Sequence, residues 1–179
     1  MQRYMVDNKE LELDIDDKRH IINVMRMNVG ESFQIIYNRK VYTCKIDEIS
    51  KKNVKYKVID KEVYENDKPY KVIIASSIIK EQKMDYLLQK ATELDVDEII
   101  PFVSERTVVK VDSKKDNKIN RWKKIVKEAS EQSHRLDMPK ISDIIRINDI
   151  KNINGANLPY AHLSWASFPC QDLSLYPAP

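Results

Sequence analysis

Two charged residues, Glu105 and Arg106, stand where a ligand would meet the chain. They follow directly after residues 98–103, an apolar segment typical of a buried β-strand. In an open parallel sheet, ligands bind outside the carboxyl ends of the strands, so the polar Ser104-Glu105-Arg106-Thr107 segment is a candidate site. The alternative is a surface ion pair or a loop cap, worth under about 1 kcal/mol and without a chemical role.

A strongly basic segment begins at the same place. Residues 106–127 hold nine Lys and Arg residues against Asp112 and Asp116, which leaves a local charge of +7. Such a segment would contact phosphates and give a salt-dependent affinity for a polyanion, of which RNA is the natural choice. A solvated helix face with a lysine-rich loop explains the same charge, and the net charge of +3 for the whole chain decides nothing between the two.

Composition excludes several classes of site. The chain has 179 residues but only two glycines, Gly30 and Gly155, so it cannot form the glycine-rich phosphate loops of P-loop or dinucleotide-binding folds. Its two cysteines and three scattered histidines do not provide the clustered ligands of a zinc site, and we expect no metal. Because the chain shows neither a signal-peptide pattern nor a long apolar run, we expect a reduced, cytoplasmic protein with no membrane partner.

The first part of the chain is predicted to be rich in β-structure. Three short strands are indicated, at residues 31–37, 41–46 and 53–60. Close-spaced strands of this kind favour a small barrel. Alternation within the second strand predicts that Cys44 is a buried apolar side chain rather than a reactive thiol. A short helix is predicted over 16–27, with Asp16 or Asp17 as its N-cap.

The pattern changes after Pro69. Residues 72–75 form a continuous apolar run, as in a strand covered on both faces, and 98–103 supplies a second strand. Two intervening segments carry apolar residues at helical spacing: Met84, Leu87, Leu88, Ala91 and Leu94 in the first, and Trp122, Ile125, Val126 and Ala129 in the second. With Asn120 as a helix cap and a third strand over 140–145, the order β-α-β-α-β predicts a parallel sheet with right-handed crossovers.

Domain boundaries follow from these changes. We predict an α+β chain with two domains, a small β-barrel over residues 1–68 and an α/β parallel-sheet domain over 70–151. The remaining segment, 152–179, carries one formal charge, at Asp172, and four of the seven prolines. This tail is chemically unlike the rest of the chain, and we expect poorly specified structure there.

Several short motifs closely resemble those of one known family. In the second domain they are Lys90-Ala91-Thr92-Glu93-Leu94-Asp95-Val96, Ile100-Pro101, Ser104-Glu105-Arg106-Thr107-Val108, Arg121-Trp122, Glu128-Ala129-Ser130-Glu131-Gln132-Ser133-His134-Arg135, Pro139 and Ile141. In the first domain they are Gln2-Arg3-Tyr4, His20, Val24-Met25-Arg26 and Gly30-Glu31. In order and spacing they are similar to RsmE, a family of bacterial small-subunit (16S) ribosomal RNA methyltransferases, over residues 1 to about 145.

This resemblance implies a fold and an activity. The fold would be a PUA-like RNA-binding barrel followed by a SPOUT-class methyltransferase domain, and family members are homodimers. The activity would be transfer of a methyl group from S-adenosylmethionine to N3 of one uridine of 16S rRNA in the small ribosomal subunit. Such a transfer needs an in-line methyl group, a splayed uracil and removal of the N3 proton. Glu105 and Arg106 are the candidate catalytic residues, and neither is assigned as the base.

The resemblance and the charge pattern together give a set of RNA-binding candidates. In the first domain they are Arg3, His20 and Arg26. In the second domain they are Ser104, Arg106, Lys110, Lys114, Lys115, Arg121, Lys124, Gln132 and Arg135. His134 is left unassigned, because a lone histidine without a visible partner is more often a surface or helix-end residue.

The chain departs from the family pattern after Ile153. The family continues with a strand, a Gly-Pro-Glu-Gly-Gly loop and a Leu-Gly…Arg-Ile-Leu-Arg…Glu-Thr-Ala segment, which form the knot, bind the methyl donor and build much of the dimer interface. None of these motifs occurs here, so no donor-binding residue is assigned and we expect the second domain to be incomplete. A frameshifted or interrupted reading frame and a divergent C-terminus each explain the difference. Two functions remain, an rRNA methyltransferase and a catalytically inactive fragment that only binds RNA.

Overall fold

A computed structural model describes residues 1–65, 68–103 and 115–146. The first of two sheets in this part of the chain contains, in spatial order, β1 (Arg3–Met5), β2 (Ser32–Tyr37), β3 (Lys40–Ile49) and β4 (Val54–Val63). β1 is parallel to β2, while β2, β3 and β4 pair in antiparallel fashion. The predicted β-rich first half is confirmed, and β3 and β4 extend further than the sequence indicated.

One face of the first sheet packs on a helical segment. α1 (Ile15–Arg19) continues directly into a π-helix (His20–Val24). Ile21 of the π-helix is fully buried in the same apolar core as Phe33 and Cys44. Burial raises the pKa of the Cys44 thiol to about 11, which keeps the thiol protonated. The prediction of a buried, unreactive Cys44 agrees with this environment.

The predicted N-cap of α1 is wrong. The cap is Asp14, whose Oδ1 accepts a hydrogen bond from the backbone N–H of Asp17 at 2.7 Å. The two predicted caps have other partners: Asp17 pairs with Lys127 and Asp16 with Lys124. All three aspartates are suitable caps by residue type, and the cap Asp14 also pairs with Lys127, so these ion pairs do not distinguish the cap from the other two.

The second sheet is parallel, as predicted. It contains β5 (Ile73–Ser77), β6 (Glu98–Val103), β7 (Lys140–Ile141) and β8 (Ile145–Arg146). β6 pairs in parallel with each of the other three strands. α2 (Glu81–Glu93) lies between β5 and β6 in the chain, and α3 (Lys115–Gln132) lies between β6 and β7. The core between helices and sheet includes Met84, Leu88, Ile99, Trp122 and Val126.

Four details of this half differ from the prediction. The third strand is interrupted between β7 and β8. β5 is not covered on both faces by the described residues, because Ile73 is 52% exposed. Leu94 lies beyond the end of α2 as its C-cap and is 79% exposed, so it does not belong to the apolar face of the helix. Asn120 lies inside α3, which begins at Lys115, and is therefore not a cap.

Candidate functional site

The strand that precedes the predicted catalytic residues is the central strand of the parallel sheet. At its carboxyl end, Val103 of β6 pairs with Arg146 of β8. The candidates Ser104, Glu105, Arg106, Lys110 and Lys114 lie outside the described residues, as does the side chain of Lys115. Their roles stay predictions, and the structure supplies the position of the strand end from which they continue.

The described part of the basic segment lies on α3, where two of the RNA-binding candidates are paired with carboxylates. Arg121 forms ion pairs with Glu81 and Asp85 of α2. Lys124 Nζ lies 2.8 Å from Oδ2 of Asp16 in α1. Lys124 and Asp16 are largely exposed, so their pair stabilises the fold by little, whereas Asp85 beside Arg121 is only 26% exposed. A phosphate group that binds Arg121 or Lys124 would compete with these carboxylates.

Lys127 is the centre of a more buried group, the acidic cluster of Asp14, Asp17 and Glu131. Its Nζ lies 3.0 Å from Asp14 Oδ2, 2.7 Å from Asp17 Oδ2 and 3.9 Å from Glu131 Oε1. Burial raises the pKa of Asp17 and raises the pKa of Glu131 to about 7. A cavity of about 320 Å³ beside the cluster is lined also by Asp7 and Glu12. With several carboxylates around one ammonium group, this region is unfavourable for a phosphate.

Arg135 joins the end of α2 to the turn that follows α3. Its Nη1 donates to the carbonyl oxygens of Thr92 and Val96, both at 2.9 Å, and its Nη2 lies 3.0 Å from Asp137 Oδ1. The side chain is only 6% exposed. These contacts give Arg135 a structural role in the chain, while its contact with RNA stays a prediction. Gln132, the neighbouring candidate on α3, is exposed.

The candidates of the first sheet, Arg3 and His20, have different neighbours. Arg3 Nε donates to Gln34 Oε1 at 2.9 Å and its Nη1 donates to the carbonyl of His134 at 2.8 Å. The next residue, Tyr4, faces the core, because successive residues of a strand point to opposite sides. The Tyr4 hydroxyl is 2.9 Å from Nδ1 of His20. Arg3 therefore holds β1 against the end of α3, and His20 belongs to the opposite face of the sheet.

The π-helix begins at His20, and its C-cap Met25 directly precedes Arg26, the third candidate of the first domain. The Met25 backbone N–H donates to the His20 carbonyl at 2.9 Å, which closes the wide turn of the helix. Val24 and Met25 are 66% and 44% exposed. Arg26 is exposed, with a φ of 51° in the left-handed region that is uncommon for residues other than glycine. We call His20, Val24, Met25 and Arg26 the π-helix tip.

Sequence reasoning missed two features of this arrangement, the acidic cluster around Lys127 and the Tyr4 hydroxyl beside His20. Lys127 and Asp17 are 110 residues apart, and Tyr4 and His20 are 16 apart in different elements. No periodicity or short motif connects such residues, so the local pattern contained no signal for either contact. Tyr4 belongs to the family motif Gln2-Arg3-Tyr4, and this motif was the one sequence signal that could have indicated a role for Tyr4.

A second cavity, of about 500 Å³, is lined by charged residues of both signs, including Arg39, Lys68, Asp97 and Asp137. Neither this cavity nor the one beside the acidic cluster is lined by the carboxyl-end residues Ser77 and Val103. We therefore assign no residue of the described ranges to a methyl donor. In the same ranges, no helix is long and apolar enough to cross a membrane, and no three acidic, His or Cys side chains are grouped to hold a metal ion.

Two family models match the chain in succession. A model described as an RNA methyltransferase PUA domain matches residues 13–59. A model described as an RNA methyltransferase domain matches residues 66–164, more than half of the chain. The second match ends within the segment that the sequence analysis set apart as a tail.

Curated relatives agree with these models. The chain is 38% identical over 159 residues to the ribosomal RNA small subunit methyltransferase E of Bacillus subtilis, covering 80% of this chain and 60% of that protein. It is 28% identical over 151 residues to the protein of the same name from Mesomycoplasma hyopneumoniae, covering 84% of this chain and 65% of that protein. The chain thus spans less than two thirds of the length of these relatives.

Solved structures show the same similarity. The ribosomal RNA small subunit methyltransferase E of Neisseria gonorrhoeae, bound to S-adenosyl methionine, matches with a TM-score of 0.72 and 28% identity, over 82% of this chain and 63% of that one. A methyltransferase of Legionella pneumophila, solved with its bound cofactor SAM, matches with a TM-score of 0.75 and 28% identity, over 83% of this chain and 63% of that one. The first sheet is thus part of a PUA-like domain and the second part of a SPOUT-like domain.

Proposed function

Because the chain belongs to the RsmE family of RNA methyltransferases, we propose that it transfers a methyl group from S-adenosylmethionine to N3 of a uridine in small-subunit (16S) rRNA. The observation that carries this proposal is the match of both halves in family order, a PUA domain followed by an RNA methyltransferase domain. The bound methyl donor in a related structure supports the choice of cofactor.

The parallel sheet supports a substrate site at the carboxyl end of β6. Ligands of open parallel sheets bind at this edge, and Glu105 and Arg106 continue the chain from Val103 there. Methyl transfer needs a base that removes the N3 proton or a group that stabilises the negative charge on the uracil, roles that a carboxylate and a guanidinium can fill. We propose both residues as substrate-side groups of the active site, without assigning either as the base.

Two measurements test this function in sequence. Calorimetric titration with S-adenosylmethionine, with the full-length Bacillus subtilis relative as positive control, is expected to show binding in the micromolar range. Small ribosomal subunits that lack the methylated uridine are then incubated with the chain and S-adenosylmethionine. Primer extension on the product rRNA is expected to stop at one uridine, because a methyl group on N3 blocks base pairing.

The outcomes separate the two functions that the sequence left open. Donor binding followed by a stop at a uridine supports the methyltransferase. Absence of donor binding, together with retained affinity for 16S rRNA, contradicts the enzyme and supports a fragment that only binds RNA. A homodimer, which the family resemblance implies, is tested separately by analytical ultracentrifugation of the same sample.

A further inference from the structure

The hydrogen bond between Tyr4 and His20 connects the core of the first sheet to the π-helix tip. Tyr4 Oη lies 2.9 Å from His20 Nδ1, and the two rings meet edge to face with centroids 5.8 Å apart. Tyr4 is 1% exposed and packs edge to face on Phe33, with 5.7 Å between centroids. Phe33 packs in the same manner on Tyr56 at 5.2 Å. This row of rings, in which Tyr4 and Phe33 are buried and Tyr56 is half-buried, fixes the position of the Tyr4 hydroxyl.

The direction of the hydrogen bond follows from burial. A buried hydroxyl requires an acceptor, and His20 Nδ1 is the acceptor that the described part of the chain provides. Burial raises the pKa of the Tyr4 phenol, so the hydroxyl keeps its proton. Tyr4 therefore donates and Nδ1 accepts, which leaves the ring proton of neutral His20 on Nε2.

The π-helix tip combines three kinds of contact that suit one nucleotide of a single strand. The Nε2–H of His20 has no protein acceptor among the described residues and can donate to a base or phosphate oxygen. Val24 and Met25 offer exposed apolar surface to the face of a base. Arg26 adds a cation for the phosphate. The acidic cluster, in contrast, surrounds its one lysine with carboxylates and is unsuited to RNA.

We propose that Tyr4 is a positioning residue that holds His20 in the Nε2–H tautomer, so that the π-helix tip binds an unpaired nucleotide of the rRNA substrate. The inference rests on the proposed function, because it takes 16S rRNA as the ligand. Tyr4 does not touch the RNA, since its side chain is buried. It acts through His20, whose ring would otherwise exchange its proton between the two nitrogens.

The test compares two Tyr→Phe variants in the full chain. Tyr4→Phe removes the hydroxyl beside His20 and keeps the ring. Tyr56→Phe, the matched control, removes the hydroxyl of the half-buried ring in the same row, which donates to the Leu11 carbonyl at 2.7 Å. We expect Tyr4→Phe to lower the affinity for 16S rRNA roughly three- to tenfold, the effect of one hydrogen bond, and Tyr56→Phe to leave it unchanged. Fluorescence anisotropy measures both.

A second readout reports the tautomer itself. Long-range nitrogen–proton NMR of His20 is expected to show the Nε2–H form in the unaltered chain and a mixture in Tyr4→Phe. In a His20→Ala background there is no ring for Tyr4 to position. Tyr4→Phe should then leave the RNA affinity equal to that of His20→Ala alone.

Three results would overturn the inference. An Nδ1–H form in the unaltered chain contradicts the assigned direction of the bond. Equal rRNA affinity of the unaltered and Tyr4→Phe chains contradicts the positioning role alone and leaves the proposed function intact. Absence of rRNA binding by the unaltered chain contradicts both the inference and the proposed function, so the two failures are distinguishable.

Discussion

The carboxylate of Glu131 on α3 accepts a hydrogen bond from the backbone N–H of Met5 on β1 at 2.8 Å. The side chain of Glu131 is only 10% exposed. Burial raises its pKa to about 7, with Lys127 opposing this shift and Asp14 and Asp17 adding to it. The group that fastens the first strand to the helix therefore titrates near neutral pH.

Glu131→Gln should make the stability of the chain less dependent on pH. Because the folded pKa of about 7 lies above the usual value of 4.5, the folded state holds the proton more tightly than the unfolded state. The contribution of Glu131 to stability is therefore full below about pH 4.5 and is lost as the pH rises through 7. The glutamine keeps an acceptor for Met5 and does not titrate. Between pH 5 and pH 8, the free energy of unfolding of the variant should rise by roughly 2 kcal/mol relative to that of the unaltered chain.

Urea unfolding at the two pH values measures this difference. Asp14, Asp17 and Lys127 face Glu131 and are present in both proteins, so their own titration largely cancels. Glu128→Gln, an exposed change on the same helix, serves as control and should leave the pH dependence as it is. Parallel pH profiles for Glu131→Gln and the unaltered chain would contradict the raised pKa.

Lys127→Met should destabilise the fold at neutral pH. The substitution leaves Asp14, Asp17 and Glu131 without the ammonium group at the centre of the cluster. Loss of one partner of a buried ion pair costs about 3 kcal/mol or more, and Asp17→Asn in the same chain should recover part of it. Urea unfolding is the measurement. Lys123→Met, at an exposed position of α3 with no ion pair to a described residue, should stay within about 0.5 kcal/mol of the unaltered chain.

Arg135→Lys separates a structural from an RNA-binding role at this position. A lysine cannot reproduce the guanidinium contacts to the carbonyls of Thr92 and Val96 and to Asp137, so we expect a loss of about 2–4 kcal/mol in thermal or urea unfolding. Well below the melting temperature, rRNA affinity should equal that of the unaltered chain. A loss of affinity without a loss of stability would reverse this assignment.

Asp16→Asn should strengthen RNA binding at low salt. The change removes the carboxylate that lies 2.8 Å from Lys124 Nζ and frees this lysine for a phosphate. We expect about a twofold gain in affinity for 16S rRNA, which should disappear at high salt because the lysine is exposed. Asp7→Asn makes the same change in charge at a residue without an ion pair to any described residue. An equal gain in RNA affinity in both variants would indicate that the change in net charge, and not the release of Lys124, causes the gain.

Cys44 should resist alkylation in the folded chain. Its thiol is fully buried, and its pKa of about 11 leaves almost no thiolate at pH 8. In a Cys170→Ser variant, iodoacetamide labelling followed by mass spectrometry should show no reaction in buffer and rapid reaction in urea. Rapid labelling without denaturant would contradict the burial of Cys44.

Some elements of the fold are encoded by the local sequence pattern, and others are not. Glu98–Val103 was predicted to the residue, because an apolar run between polar residues encodes a buried strand directly. The helical spacing of apolar residues also predicted the buried faces of α2 and α3, and Leu88 and Trp122 from these faces lie in one core. Where several residues suit one local role, as with the three aspartates at the start of α1, residue type did not identify Asp14 as the N-cap.

The residues of the candidate site were only partly predictable from the sequence. The basic segment left a polyanion site and a solvated helix face both open, and the family motifs indicated Arg3, His20 and Arg26. Neither signal reveals which cations are already paired. Arg121 and Lys124 are neutralised by carboxylates of α2 and α1, whose positions depend on the packing of three helices. The formal charge of a sequence segment is thus larger than the unpaired positive charge that is available to a ligand.

The contacts of β1 also constrain how the chain is made. Met5 bonds to Glu131 and Arg3 to the carbonyl of His134, over separations of 126 and 131 residues. Because β1 precedes α3 in the chain, a ribosome synthesises β1 before α3, and these two contacts form only after α3 and its turn have emerged. Pairings of such long sequence separation form slowly. β1 can pair with β2 before this, but its junction with the end of α3 is fixed late.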